Sequence, residues 1–167
     1  MTLTCTLRAG TKKRVHILIE PPLRGYEDVK PRLLEMKAIA QEKLGMIKAP
    51  VITSFRLPSE ALFSGILTGA LFYLYLSPQD GNSPLYEPAR FANDALGPNA
   101  VTYALYSLGV IHVLESFYTF KLCRRHKTGL LTGAAYVLST IPFGFPIWKD
   151  LRKRIQAARI DSVMKVE

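Results

Sequence analysis

Cysteine is nearly absent from this 167-residue chain: Cys5 and Cys123 are its only two, and they stand far apart. That excludes a disulfide-stapled secreted scaffold and any paired-thiol metal or redox motif. The first residues hold no continuous apolar run, because Leu3, Cys5 and Leu7 alternate with Thr2, Thr4 and Thr6. A cleavable signal peptide is therefore not expected, and the first apolar span should itself act as the targeting signal. No Asn-x-Ser/Thr acceptor occurs. Carboxylates are scarce too, 13 against 22 lysines and arginines, for a formal net charge of +9. Such an excess can serve nucleic acid, but here it gathers beside apolar runs, at Lys121, Arg124, Arg125 and Lys127 and at Lys149, Arg152, Lys153 and Arg154. Charge next to a span sets topology and meets anionic headgroups. No nucleic-acid motif accompanies it, so nucleic acid is not an expected partner.

What the chain does contain is a sharp division. Mean hydropathy is only +0.12, yet residues 1–58 are polar and basic while 59–148 hold three apolar runs. The expected fold class is membrane all-α: a small three-span helical bundle with a partial α+β appendage at its N-terminus. The spans are placed at 59–76, 100–122 and 128–148. The first reaches about 27 Å at the helical rise, enough for a thin intracellular membrane. The stretch 77–99, rich in Pro, Asn, Asp and Gly, reads as a loop. Pro142 and Pro146 interrupt the third run, which predicts a kink or a short re-entrant piece there.

Orientation follows from the cations. The 77–99 stretch has Arg90 alone against Asp80, Glu87 and Asp94, whereas 121–127 holds Lys121, Arg124, Arg125 and Lys127. The first should face the lumen or exterior and the second the cytoplasm, with the N-terminal appendage. Three full spans would put the basic C-terminus on the side opposite the basic loop, against that rule. An intracellular membrane is expected, with the endoplasmic reticulum preferred to a mitochondrial membrane.

The appendage, residues 1–46, reads as a β-hairpin followed by a helix. After a turn at Ala9-Gly10-Thr11, Val15, Ile17 and Ile19 alternate with His16, Leu18 and Glu20, and Pro21-Pro22 ends the strand. The helix spans 28–44, with Val29, Leu33, Met36, Ala40 and Leu44 as its apolar stripe, Pro31 in its first turn and Gly45 as its stop. A hairpin and one helix bury too little to stand alone, so a partner surface is required. Residues 47–58 form a linker. Residues 149–167 form a basic amphipathic tail whose Trp148, Leu151, Ile155 and Ala158 stripe suits a membrane surface.

The chemistry is concentrated in the second span. His112 and Glu115 lie one helical turn apart, with Thr119 continuing their face and Ser116 adjacent. Ionisable groups at that depth are costly and point to function. They read either as a proton-handling or ligand-binding pair, or as a polar clamp to Thr68, Ser139 or Thr140 in the other spans. One His and one Glu lack the further ligands of a metal site, and no cofactor is expected. Gly65 and Gly69, with Ala61 extending the face, form a small-residue surface for close helix packing, within the bundle or between two copies. Gly129 and Gly133 repeat the spacing. Cys123 sits at a membrane edge among arginines, where reversible palmitoylation is chemically accessible. His16 and His126 read as surface residues.

Three patterns carry a family resemblance: Leu-Gly-Pro (96–98), Gly-Val-Ile-His-Val-Leu-Glu-Ser-Phe-Tyr (109–118) and Leu-Cys-Arg-Arg-His-Lys (122–127). With the first span they make residues 59–154 resemble the transmembrane protein 254 family, small multi-pass membrane proteins of unassigned molecular function. The N-terminal segment resembles the end of domain of unknown function 2470, through Arg-Val-His-Ile-Leu-Ile-Glu-Pro-Pro-Leu (14–23) and Arg-Leu-Leu-Glu-Met-Lys-Ala-Ile-Ala (32–40). The earlier helices of that domain are absent, so its haem and flavin associations are not carried over.

No complete catalytic constellation is present, and the leading expectation is a non-enzymatic adaptor or scaffold. Its partners would be the bilayer, a protein for the N-terminal module, and a second copy through the small-residue face. The alternative is a lipid- or sterol-processing enzyme or carrier that uses the intramembrane His/Glu pair.

Overall fold

The computed structural model describes residues 2–8, 10–19, 22–81, 83–97 and 99–164. Ala9, Glu20, Pro21, Pro98 and the last three residues of the tail, invoked above, lie outside the described residues. The described chain is mostly helical: strands β1 (Thr2–Thr6) and β2 (Lys12–His16), then α1 (Val29–Lys43), α2 (Glu60–Leu76), α3 (Glu87–Leu96), α4 (Ala100–Arg125), α5 (Leu130–Phe143) and α6 (Phe145–Met164), with short 3-10 turns before α1 and α3.

The strands pair antiparallel with Thr2 opposite His16 and Thr6 opposite Lys12, and the Thr2 hydroxyl lies 3.1 Å from His16 Nδ1. Every residue of both strands is exposed, and among the described residues neither strand packs on a helix. The required partner surface is found within the chain for α1 only. It lies along α6, which buries Ala38 and sets Arg159 Nε 2.7 Å from Glu42 Oε2. Arg125, at the end of α4, approaches the same carboxylate at 3.7 Å. Gly45 closes α1 with φ +71, a conformation that favours glycine.

One sequence expectation for the apolar region requires correction, while the interruption expected near Pro142 and Pro146 is present. The stretch 77–99 is not simply a loop, since Glu87–Leu96 is helical with Pro88 in its first turn, where the missing N–H is harmless. Asn93 Nδ2 donates to Leu74 O at 3.3 Å and fastens α3 to the end of α2. The run 128–148 is not one helix either. It breaks at Gly144, with φ +62 and ψ −135, a region essentially closed to residues with a Cβ. Pro142 and Pro146 flank the break and each removes a helical donor.

The direction of the chain after Gly144 decides the architecture. α5 runs antiparallel to α4: Gly133 lies beside Cys123, Thr140 Oγ1 donates to Thr119 Oγ1 at 3.2 Å, and Ile141 meets His112. α6 then runs back along α4. Trp148 packs edge-on against Tyr118 at 5.3 Å between centroids, and Arg159 rejoins Arg125 at Glu42. α5 and α6 thus form a helical hairpin that reaches only the level of residues 112–115 of α4 and returns. Among the described residues α4 alone, at 26 residues, is long and apolar enough to cross a membrane; α2 and α5 are shorter apolar helices.

The core sits at the basic end of the bundle, where Ile52, Ala61, Cys123, Tyr136, Ile147, Leu151 and Ile155 converge. The apolar stripe of the tail is therefore covered by protein, with Leu151 fully buried. Arg154 bonds Ser54 O at 2.7 Å and the Tyr136 hydroxyl, drawing the linker onto α5 and α6. Lys149 reaches Glu60 at 2.8 Å and ties α6 to the start of α2. His126 is not a surface residue as expected; it is 2% exposed and its Nδ1 donates to Pro50 O at 3.1 Å.

The hydrogen bond from Arg159, opposed by burial and reinforced by the charges of Arg159 and Arg125, holds the Glu42 carboxyl below its ordinary value. Burial pushes His126 down, against the opposing pull of the Pro50 carbonyl. Both depressed groups contribute stability that is complete above their ordinary values and lost as pH falls through the folded ones. Thermal unfolding in mild detergent should therefore show Tm falling as pH drops below about 6.5, the ordinary histidine value. His126→Gln, which keeps a donor for Pro50 O, should flatten that part of the profile. Glu42→Gln should lower Tm at pH 7 and flatten the further fall below about pH 4.3. A wild-type Tm constant across both ranges would contradict the assignment.

Candidate functional site

A helix leaves its last carbonyls without intrahelical partners, and in α5 two of these, Ile141 O and Phe143 O, are partly buried. Side chains from two other helices take them up. His112 Nδ1 on α4 lies 2.7 Å from Ile141 O, and since a carbonyl can only accept, this nitrogen carries the proton. Ser64 Oγ on α2 donates to Phe143 O at 2.6 Å. The sequence reading did not single out Ser64; its signal was a hydroxyl beside Gly65 on the small-residue face. The interhelical clamp thus forms to a backbone carbonyl and not to Thr68, Ser139 or Thr140.

With Nδ1 committed to Ile141 O, Nε2 is the remaining polar atom of the His112 ring. It faces Gly144: a Cβ added there would fall 2.5 Å from His112 Nε2 and 2.9 Å from Glu115 Oε2. The missing side chain of Gly144 is thus the point on which both polar atoms converge. Glu115 Oε2 is buried and has no hydrogen-bond partner, the kind of atom that calls for explanation. Ser116 and Thr119 are turned back into α4 instead, donating to His112 O and Glu115 O at 2.9 Å each. Thr119 also receives the Thr140 bond, so it joins α4 to α5.

Beside this point lies an apolar groove of about 750 Å³ between α2, α4 and α5, lined by Thr68, Phe72, Leu105, Gly109, His112 and Pro142 among others. His112 lines it; Glu115 stands behind. The groove can take an apolar molecule, and His112 is an ionisable side chain on its wall.

The small-residue face is used within the chain at two positions. Ala61 is fully buried, and a Cβ on Gly65 would meet Phe143 at 2.6 Å, whereas Gly69 faces open space. Cys123 is only 4% exposed, which withdraws its sulfur from the surface an acyl donor would approach. Cys5 is exposed.

Residues 61–153 match the family described as Transmembrane protein 254. The chain is also 46% identical over 168 residues to the Strobilurin A biosynthesis cluster protein r1 of Strobilurus tenacellus, a match that covers all of this chain and 74% of that protein. No solved structure matches. The family description fits a membrane protein, in keeping with α4 as a candidate span. The family match begins beyond the N-terminal segment, and the likeness of that segment to domain of unknown function 2470 gains no support.

Gly144→Ala should destabilise the bundle by about 1–3 kcal/mol from backbone strain alone, with a further loss from collision with His112. Ser64→Ala strands a buried carbonyl and should cost about 1–3 kcal/mol. Thermal melts in detergent micelles check both; a Gly144→Ala variant as stable as wild type would contradict the geometry.

Proposed function

The chain belongs to the Transmembrane protein 254 family, and we propose that it acts as a multi-pass membrane protein of an intracellular membrane that holds an apolar, hydroxyl-bearing molecule in the α2–α4–α5 groove against His112. The observation that carries this is His112 on the wall of the groove, with its Nε2 and the unpartnered Oε2 of Glu115 both packed against Gly144. A structural clamp uses Nδ1 alone and leaves both of these atoms unexplained.

The membrane placement in this reading has α2 and α4 crossing and the α5–α6 hairpin re-entering. The outward faces of α2 and α4 are apolar, with Phe63 at 68% and Phe117 at 68% exposed, which suits a hydrocarbon surround and not water. Pairing the hairpin this way puts Lys121, Arg124, Arg125, Lys127 and the cations of α6 on one side, with the 77–99 stretch on the other. Every segment then satisfies the positive-inside rule, which three full spans would violate. The relative's name connects that protein with a biosynthesis cluster, a setting that accords with a small-molecule carrier or a lipid-directed enzyme.

A second reading, an adaptor, is favoured by one feature. The β-hairpin is exposed on every residue and packs on no described helix, so it is free to engage another protein.

Two experiments bear on these readings. In a chain whose own cysteines are replaced, cysteines at Lys127 and Asp161 should label from the same side and one at Gln79 from the other. Labelling of position 161 together with 79 would restore three full crossings. A photoactivatable long-chain alcohol should crosslink in the groove and be displaced by the unlabelled alcohol. Gly109→Leu, which fills the groove at a position where a Cβ meets nothing within 4 Å, should abolish the crosslink while Tm holds. Unchanged crosslinking in Gly109→Leu would sink the ligand reading and leave the adaptor.

A further inference from the structure

A second cavity, of about 590 Å³, opens at the basic end between α1, the end of α4 and α6. Its walls carry Arg125, Lys149, Arg152, Lys153 and Arg159. Two carboxylates answer these five cations: Glu42 pairs with Arg125 and Arg159, and Glu60 with Lys149 and Lys153. Glu35, the acidic residue in the lining, is already held by Arg32 at 2.7 Å. Arg152 has no partner among the described residues. The deep end is aromatic, where Tyr118, Trp148 and Phe145 stack edge to face at 5.3 and 4.7 Å.

Independent of charge, two buried donors in the same lining are orphaned. Trp148 Nε1 and Gln156 Nε2 have no acceptor, and both atoms are closed off from the cavity surface. Cations in excess of carboxylates around one cavity, with Arg152 unpaired, ask for an anion. The volume exceeds what one phosphate fills, and the aromatic floor gives apolar contact to whatever continues from it.

We infer that this cavity binds the phosphorylated headgroup of an anionic phospholipid, with Arg152, Lys153 and Lys149 on the phosphate oxygens and the Tyr118–Trp148 floor against the glycerol end. Arg124, Arg125 and Lys127 stand at the same level of the bundle, where headgroups meet the surface if the membrane placement proposed above holds. The inference rests on that placement and not on the groove at His112.

Trp148 is the chain's only tryptophan, so its emission reports this cavity without a label. The full chain in mild detergent is titrated with dioctanoyl phosphatidylinositol 4-phosphate, dioctanoyl phosphatidylcholine and free inositol 1,4-bisphosphate. The phosphoinositide should give a saturable emission shift that phosphatidylcholine does not. Arg152→Ala and Lys153→Ala should each weaken it about fivefold, with Tm preserved for the exposed, unpaired Arg152. Equal affinity for the free inositol phosphate would overturn the lipid source. Equal affinity for phosphatidylcholine, or binding indifferent to Arg152→Ala, would overturn the site itself. The cysteine-labelling pattern described above is read separately in membranes, so failure of the placement and failure of this site are distinguishable.

Discussion

A helix that stops inside an apolar bundle leaves carbonyls that neither water nor lipid can satisfy, and this constraint organises the protein. Where hydrocarbon is the surround, backbone polar groups must find partners inside the protein. α5 ends in that situation, and His112 and Ser64 supply the donors from α4 and α2. Three helices are thereby fixed at one depth by the polar demands of a single helix end. Gly144 then turns the chain back, and α6 carries its cations to the side from which α5 came. The position of His112, the glycine break and the distribution of charge are in this sense one feature seen from three directions.

Much of this was legible in the residues. The α1, α2 and α4 segments follow from apolar spacing, with Pro31 and Gly45 bounding α1, and β1 from alternation with threonine; β2 ends at His16, before Ile17 and Ile19 of the expected strand. The His112–Glu115 pair announced itself by being ionisable in an apolar run. The fate of residues 128–148 was harder, because hydropathy reports that a segment is apolar but not whether it reverses. The two prolines marked the trouble; Gly144 between them, able to adopt φ +62, made the reversal. α3 was hidden by composition, since Pro84, Asn93 and Gly97 look like loop residues until Pro88 is seen at a helix start. His126 was misjudged because its burial depends on Pro50, 76 positions earlier in sequence, and no local pattern reveals a contact of that range. Ser64 was missed for the same reason.

The two ends of the bundle are built on different physics. Toward residues 112–115 the contacts are sparse and polar, and they border an apolar groove. At the other end, Tyr136, Ile147, Leu151 and Ile155 are all but inaccessible and the surrounding charges interlock. The first end has room for a guest; the second has the rigidity to hold the first in place. Family membership rests on residues 61–153, which take in both, while the likeness to the fungal cluster protein also runs through the N-terminal segment.

The clasps formed by α6 reach far back along the chain, joining Arg154 to Ser54 across 100 residues and Arg159 to Glu42 across 117. Since α6 follows every other described element, none of these can close until translation has delivered it. During synthesis α1 and the linker must therefore wait unfastened until α6 emerges. Among the described elements, the last helix thus locks down the first.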